Sequence, residues 1–164
     1  MDSQTKEGQK YMKHAERAVE IFNSNALSSK FVATDPTAPA TLDGIIVTKG
    51  IVNGVVEIMA REETFIEMLD YDSPKGWLIS ANKIMAGKNA AEYFSCPFYG
   101  FLYCIPDDTL YIVRIFNSDG SRASHIDIRE TTTQESCNGG LAKRSNAYIH
   151  LEKHNVKAMK HILS

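Results

Sequence analysis

With 164 residues, 43% of them hydrophobic, the chain is long enough for one domain with a real core and short for two. Charged residues at 23% argue against wholesale disorder. The formal net charge of -2 argues against coating nucleic acid by bulk charge, although a local basic groove is still allowed.

From about Thr5 to Asn23 the residues Tyr11, Ala15, Ala18, Val19 and Phe22 recur at helical spacing, and "NSNALSSK" ends that helix. "KFVAT" predicts a short strand, and the prolines of "DPTAPAT" break either pattern. "TLDGIIVTKGIVNGVVEIMARE" carries the strongest hairpin signal in the chain, two β-rich runs joined through Gly and Asn. "ETFIEMLDY" predicts a short helix closed by "DSPKG", "WLIS" a strand, and "ANKIMAGKNAAEYF" a helix capped by Ser80. "PFYGFLYCI" and "TLYIVRIF" predict strands around the turn "PDD". "HIDIRE" and "AYIHLE" finish the sheet, separated by the polar loop "TTTQESCNGGLAKRS". This order predicts a single mixed α/β or α+β domain over residues 1–164.

No apolar run approaches the roughly 18 residues of a membrane span, so no membrane partner is expected. The start "MDSQTKEGQK" lacks the apolar core of a secretory signal. Cys96, Cys104 and Cys137 share no metal-ligand spacing and suit free thiols in a reducing, cytoplasmic compartment.

The hairpin holds the residues with the most chemistry. Magnesium is held by two or three carboxylates while keeping several waters. Phosphodiester cleavage adds a positive charge near the attacking water. Such a site needs one acid on each of two adjacent strands, facing the same way. Asp43 and Glu57 satisfy this if the hairpin turns at Gly50, with Asn53-Gly54 as a bulge, because directly opposite residues share a face. A turn at Asn53-Gly54 would instead pair Asp43 near Glu63 or Thr64. Taken singly, Asp43 reads as a turn residue at a strand start, Met59 as core and Glu16 as a solvated helix acid. Glu57 among apolar neighbours needs a partner or a metal if it is buried.

In their order, "AER" in the first helix, "LDGIIVTKG" and "VVEIMAR" resemble the successive motifs of the PD-(D/E)xK nuclease superfamily. "WLISANKI", "PFYGFLYCI" and "RSNAYIHL" are similar in tone to its small phage and Holliday-junction-resolvase-like members. The resemblance covers most of the chain in element order, on a handful of sharp residues. It implies a restriction-endonuclease-like core, a mixed central sheet flanked by helices. It also implies Mg²⁺- or Mn²⁺-dependent hydrolysis of DNA, in a phage-infected or bacterial cell, by a protein for which a homodimer is plausible.

Carried over to this chain, the pattern makes Asp43, Glu57 and the main-chain carbonyl of Ile58 metal ligands, with Glu16 assisting from the first helix. Met59 occupies the position of the family's lysine, which it fills in length but not in charge. Three accounts are open: a deliberate Lys→Met change, a lysine relocated to Lys83 on the second helix, or a chain that has lost catalysis and kept binding. The last would be a catalytically silent nucleic-acid- or protein-binding module on the same fold.

Lys143, Arg144, Lys153, Lys157 and Lys160 outnumber the acids near the C-terminus. They suit either phosphate contacts, led by Lys143 and Arg144, or a solvated helix face. Among the histidines only His150 and His154 fall at an i, i+4 spacing, which reads as surface chemistry.

Overall fold

The computed structural model describes residues 5–34, 42–69, 77–135 and 141–163; the side chains at 131–135, 141, 142 and 144 are outside that description. "DPTAPAT", "DSPKG" and Cys137 lie outside the described residues. The chain begins with α1 (Lys6–Asn25), whose first turn is closed by the Thr5 side chain accepting from the Gly8 amide at 3.0 Å. Next come β1 (Ser29–Ala33), β2 (Gly44–Thr48), β3 (Ile51–Arg61), α2 (Phe65–Leu69) and β4 (Trp77–Ser80). Ser80 caps α3 (Ala81–Phe94), as its place before the helical run predicts. β5 (Phe98–Cys104), β6 (Thr109–Phe116), β7 (Ile126–Glu135), β8 (Leu141–Ile149) and β9 (Val156–Met159) complete the chain.

The strands form two sheets, one of six strands in the order β1-β2-β3-β5-β6-β9 and one of three in the order β4-β8-β7. The larger sheet is mixed, because β3 and β5 run parallel while its other neighbours are antiparallel. The fold is thus mixed α/β, with helices on the faces of a mixed sheet. β3 is buried on both faces, so its side chains are apolar almost throughout. Val55 joins a core with Trp77, Ile79 and Ile84, toward β4 and α3. Val56 and Ile58 join a second core with Ala18, Ile21 and Phe22 of α1. By strand alternation Glu57 belongs to the α3 side. Across the gap between the sheets, Arg61 donates to the carbonyl of Leu78 on β4 at 3.0 Å.

The β2–β3 hairpin turns at Lys49-Gly50, both at positive φ (50° and 78°), as a two-residue turn of this kind demands. Thr48 pairs with Ile51 and Val47 with Val52, but Ile46 pairs with Gly54. Asn53 is therefore the extra residue of a bulge, and beyond it Gly44 stands opposite Val56. This is the Gly50 turn that sets Asp43 against Glu57.

Two stretches differ from expectation. Much of the segment expected as a polar loop is strand, since β7 and β8 pair through Thr131 with Arg144 and Thr132 with Lys143. Its threonines are β-branched and favour an extended backbone as well as any apolar residue does. The basic C-terminal stretch contains β9 on the edge of the larger sheet, where Val156 pairs with Val113, rather than a solvated helix face. Among the described residues, no helix is long and apolar enough to cross a membrane.

Gly100 of β5 pairs with Glu57, and a Cβ placed on it would stand 2.0 Å from the Trp77 indole. Gly100→Ala should therefore cost about 1–3 kcal/mol through displacement of that ring. Urea denaturation followed by the fluorescence of Trp77, the sole tryptophan, measures it. Unchanged stability would mean that the ring has room to move.

Candidate active site

Glu57 lies in the middle of β3 with its side chain only 1% exposed. A carboxylate there is costly unless other groups compensate it. Three elements converge around it, and the opposite charge comes from Lys83. The start of β2 supplies Asp43, whose backbone amide donates to the carbonyl of Val56 at 3.1 Å. Its side chain extends the ladder beyond Gly44, the first residue of β2, with Oδ2 accepting from the Ile58 amide at 2.7 Å. The first turn of α3 supplies Lys83, whose ammonium donates to Glu57 Oε1. Helix α1 supplies Tyr11, whose hydroxyl donates to the carbonyl of Ile58. The Lys83 side chain is 42% exposed, so the cluster is sealed at Glu57 and open to solvent at the lysine.

The electrostatics follow from this placement. Burial first, then the charge of Asp43, push the Glu57 carboxyl up from 4.5 to about 7, against the opposing pull of Lys83. A protonated Glu57 can also donate to Asp43, which raises it further. Burial, with Asp43 and Glu57 nearby, pushes the Tyr11 hydroxyl well above its ordinary value, so it stays a donor. Glu57 Oε2 is buried and, among the described residues, receives no hydrogen bond. An orphaned carboxylate oxygen beside a second carboxylate is a donor set suited to a hard divalent cation.

The structure brings Asp43, Glu57, Ile58 and Lys83 together. Met59 is half-buried and packs against the core on the α3 side. Glu16 is exposed. It lies five residues beyond Tyr11, about 140° around the helix, and the charges that shift Glu57 are those of Asp43 and Lys83. Tyr11 is thus the α1 residue that reaches β3. Its signal in the sequence was ambiguous, because a tyrosine on an apolar helical face reads as core until its hydroxyl finds a partner.

Lys143 is exposed on β8 in the smaller sheet, and the Arg144 side chain lies outside the described residues. Lys157 instead joins Arg114 and Arg122 in the lining of a cavity of about 690 Å³ on the α1 side of the larger sheet, the face opposite Glu57. A separate group, His125, Asp127 and His150, could hold a metal ion. Sequence spacing conceals it, because its members meet only through the β7–β8 pairing. No family model matches the chain, and neither the curated proteins nor the solved structures contain a match to it.

The raised Glu57 carboxyl makes stability depend on pH. Between pH 4.5 and about 7 the folded chain holds a proton that the unfolded chain has released, so stability falls as pH rises through this window. At about 1.4 kcal/mol per pKa unit the loss is up to about 3 kcal/mol. Denaturation in EDTA at pH 5 and pH 8 should show this decline in the native chain and not in Glu57→Gln. An equal decline in both would place its origin elsewhere.

Proposed function

We propose that the chain is a metal-dependent deoxyribonuclease of the PD-(D/E)xK type, with its catalytic lysine supplied by Lys83 instead of position 59. The observation that carries this reading is the pairing of the Lys83 ammonium with Glu57, in a partly buried cluster that also holds Asp43 and the Ile58 carbonyl. The element order supports it as well. Helix α1, the antiparallel strands β1 to β3, and β5 returning parallel to β3 after α2, β4 and α3 correspond to the mixed sheet and flanking helices that the resemblance implies.

Asp43, Glu57 and the Ile58 carbonyl would hold Mg²⁺ or Mn²⁺, and the orphaned Oε2 of Glu57 fits such a ligand role. When bound, the ion polarises the phosphate and lowers the pKa of its water. Lys83 places a positive charge beside Glu57, where it favours deprotonation of an attacking water and offsets the charge of the phosphate. Tyr11 fixes the direction of the Ile58 carbonyl through its hydroxyl. Met59 fills the core space of a lysine stem and leaves the charge to the helix. The substrate class is DNA. A homodimer would let both strands of a duplex or junction be cut.

Incubation with plasmid, single-stranded and four-way-junction DNA, in Mg²⁺, Mn²⁺ or EDTA, tests the reading. The native chain should cleave with metal and not in EDTA. Lys83→Ala should lose roughly 10²-fold or more, and Glu57→Ala should be inactive. Cleavage only by Met59→Lys would return the lysine to β3 and overturn the relocation. Metal binding at Asp43 and Glu57 with no cleavage by any form would replace the enzyme with a catalytically silent binding module.

A further inference from the structure

His125 precedes β7 and His150 follows β8. They face each other across the strand pair, the His150 amide donating to the His125 carbonyl at 3.0 Å. Asp127 lies two residues beyond His125, on the same face by strand alternation. Their side chains converge. His125 Nε2 is 3.2 Å from Asp127 Oδ1, and His150 Nε2 is 3.4 Å from Oδ2 of the same carboxylate. The two rings meet edge to face with centroids 4.3 Å apart. The ligand atoms of the three residues all lie within 4.8 Å of one another.

These spacings suit a particular class of ion. Zinc holds nitrogen and oxygen at about 2.0–2.2 Å, so neighbouring ligand atoms in a tetrahedral shell stand about 3.3 Å apart. Two imidazoles with one carboxylate select borderline first-row metals, whereas Mg²⁺ and Ca²⁺ take oxygen. The scaffold is firm, because the adjacent cross-strand pair Ile126 and Ile149 is buried in the core. Arg129, held over the Tyr148 ring, reaches Asp127 Oδ2 at 3.6 Å and orients the carboxylate.

We propose that His125, Asp127 and His150 form a zinc-class metal site on the smaller sheet, with three protein ligands and a fourth position left for water or an exogenous ligand. It is independent of the cluster at Glu57 and differs from it in ligand chemistry. The other histidines and the buried Cys96 and Cys104 take no part.

The test uses the full chain carrying Cys137→Ser, stripped with EDTA and dialysed, then titrated with Co²⁺ by visible absorption and with Zn²⁺ by calorimetry. One equivalent of Co²⁺ should give visible bands that Zn²⁺ removes. Glu57→Gln should leave this equivalent intact. His150→Ala and His125→Gln should each weaken Zn²⁺ binding at least roughly tenfold. His125 is exposed, so its variant should keep the fold, as a thermal melt in EDTA can verify. The absence of Co²⁺ bands would reduce the group to an Asp127-centred ion pair and overturn the site. Bands that persist unchanged in His125→Gln and His150→Ala would overturn it equally.

Discussion

A carboxylate in the middle of a strand buried on both faces is the constraint around which this fold is arranged. The flanking residues Val55, Val56 and Ile58 leave Glu57 almost no water, and a charge so placed needs compensation from elsewhere in the chain. The opposite charge comes from α3, while the hairpin brings a second carboxylate beside the first. Helix α3 must begin where its first turn can deliver Lys83, and β2 must begin just after Asp43, whose side chain reaches the Ile58 amide. Gly100, the neighbour of Glu57 on β5, must lack a side chain so that the Trp77 indole can close over the strand. Helix, hairpin and indole therefore answer to one residue.

Much of this was legible in the sequence, and the hairpin shows why. "NG" is the stronger local turn signal, yet the chain turns at Lys49-Gly50 and uses Asn53 as a bulge. The spacing of two acids on one face carries information that turn preference lacks. A polar side chain turned into a sheet is rare enough to fix a register. What sequence could not supply were meetings set by tertiary placement. Tyr11 and Glu16 are both plausible on a helical wheel, and only the docking angle of α1 decides which of them reaches β3. The outer parts of β7 and β8 were legible as "HIDIRE" and "AYIHLE", but their extension into the polar stretch between was not, because a strand on a small, partly solvated sheet need not look apolar. His125 and His150 are 25 positions apart, and no periodicity connects them.

On the function proposed above, Met59 and Lys83 would show a chemical role detached from its sequence position. An ammonium acts through where its nitrogen stands. Position 59 lies on the same face of β3 as Glu57, and the first turn of α3 faces that side. With the charge on the helix, the strand position is released to packing, and a flexible thioether suits an irregular gap beside the core.

The parallel pairing of β3 with β5 also bears on the order in which the molecule assembles. Asp43 and Glu57 can meet early, because a hairpin joins neighbours along the chain, and at that stage the carboxylates are still hydrated. The contacts that bury Glu57 are complete only with the crossover through α2, β4 and α3 in place and β5, carrying Gly100, beside it. Crossovers of this length close more slowly than hairpins, since the entropy of the loop is lost before its contacts form. The slow step is thus also the one that dehydrates an acid. A proton or a divalent cation present at that moment would favour closure, and solution conditions would act on the rate at which the chain matures as well as on its final stability.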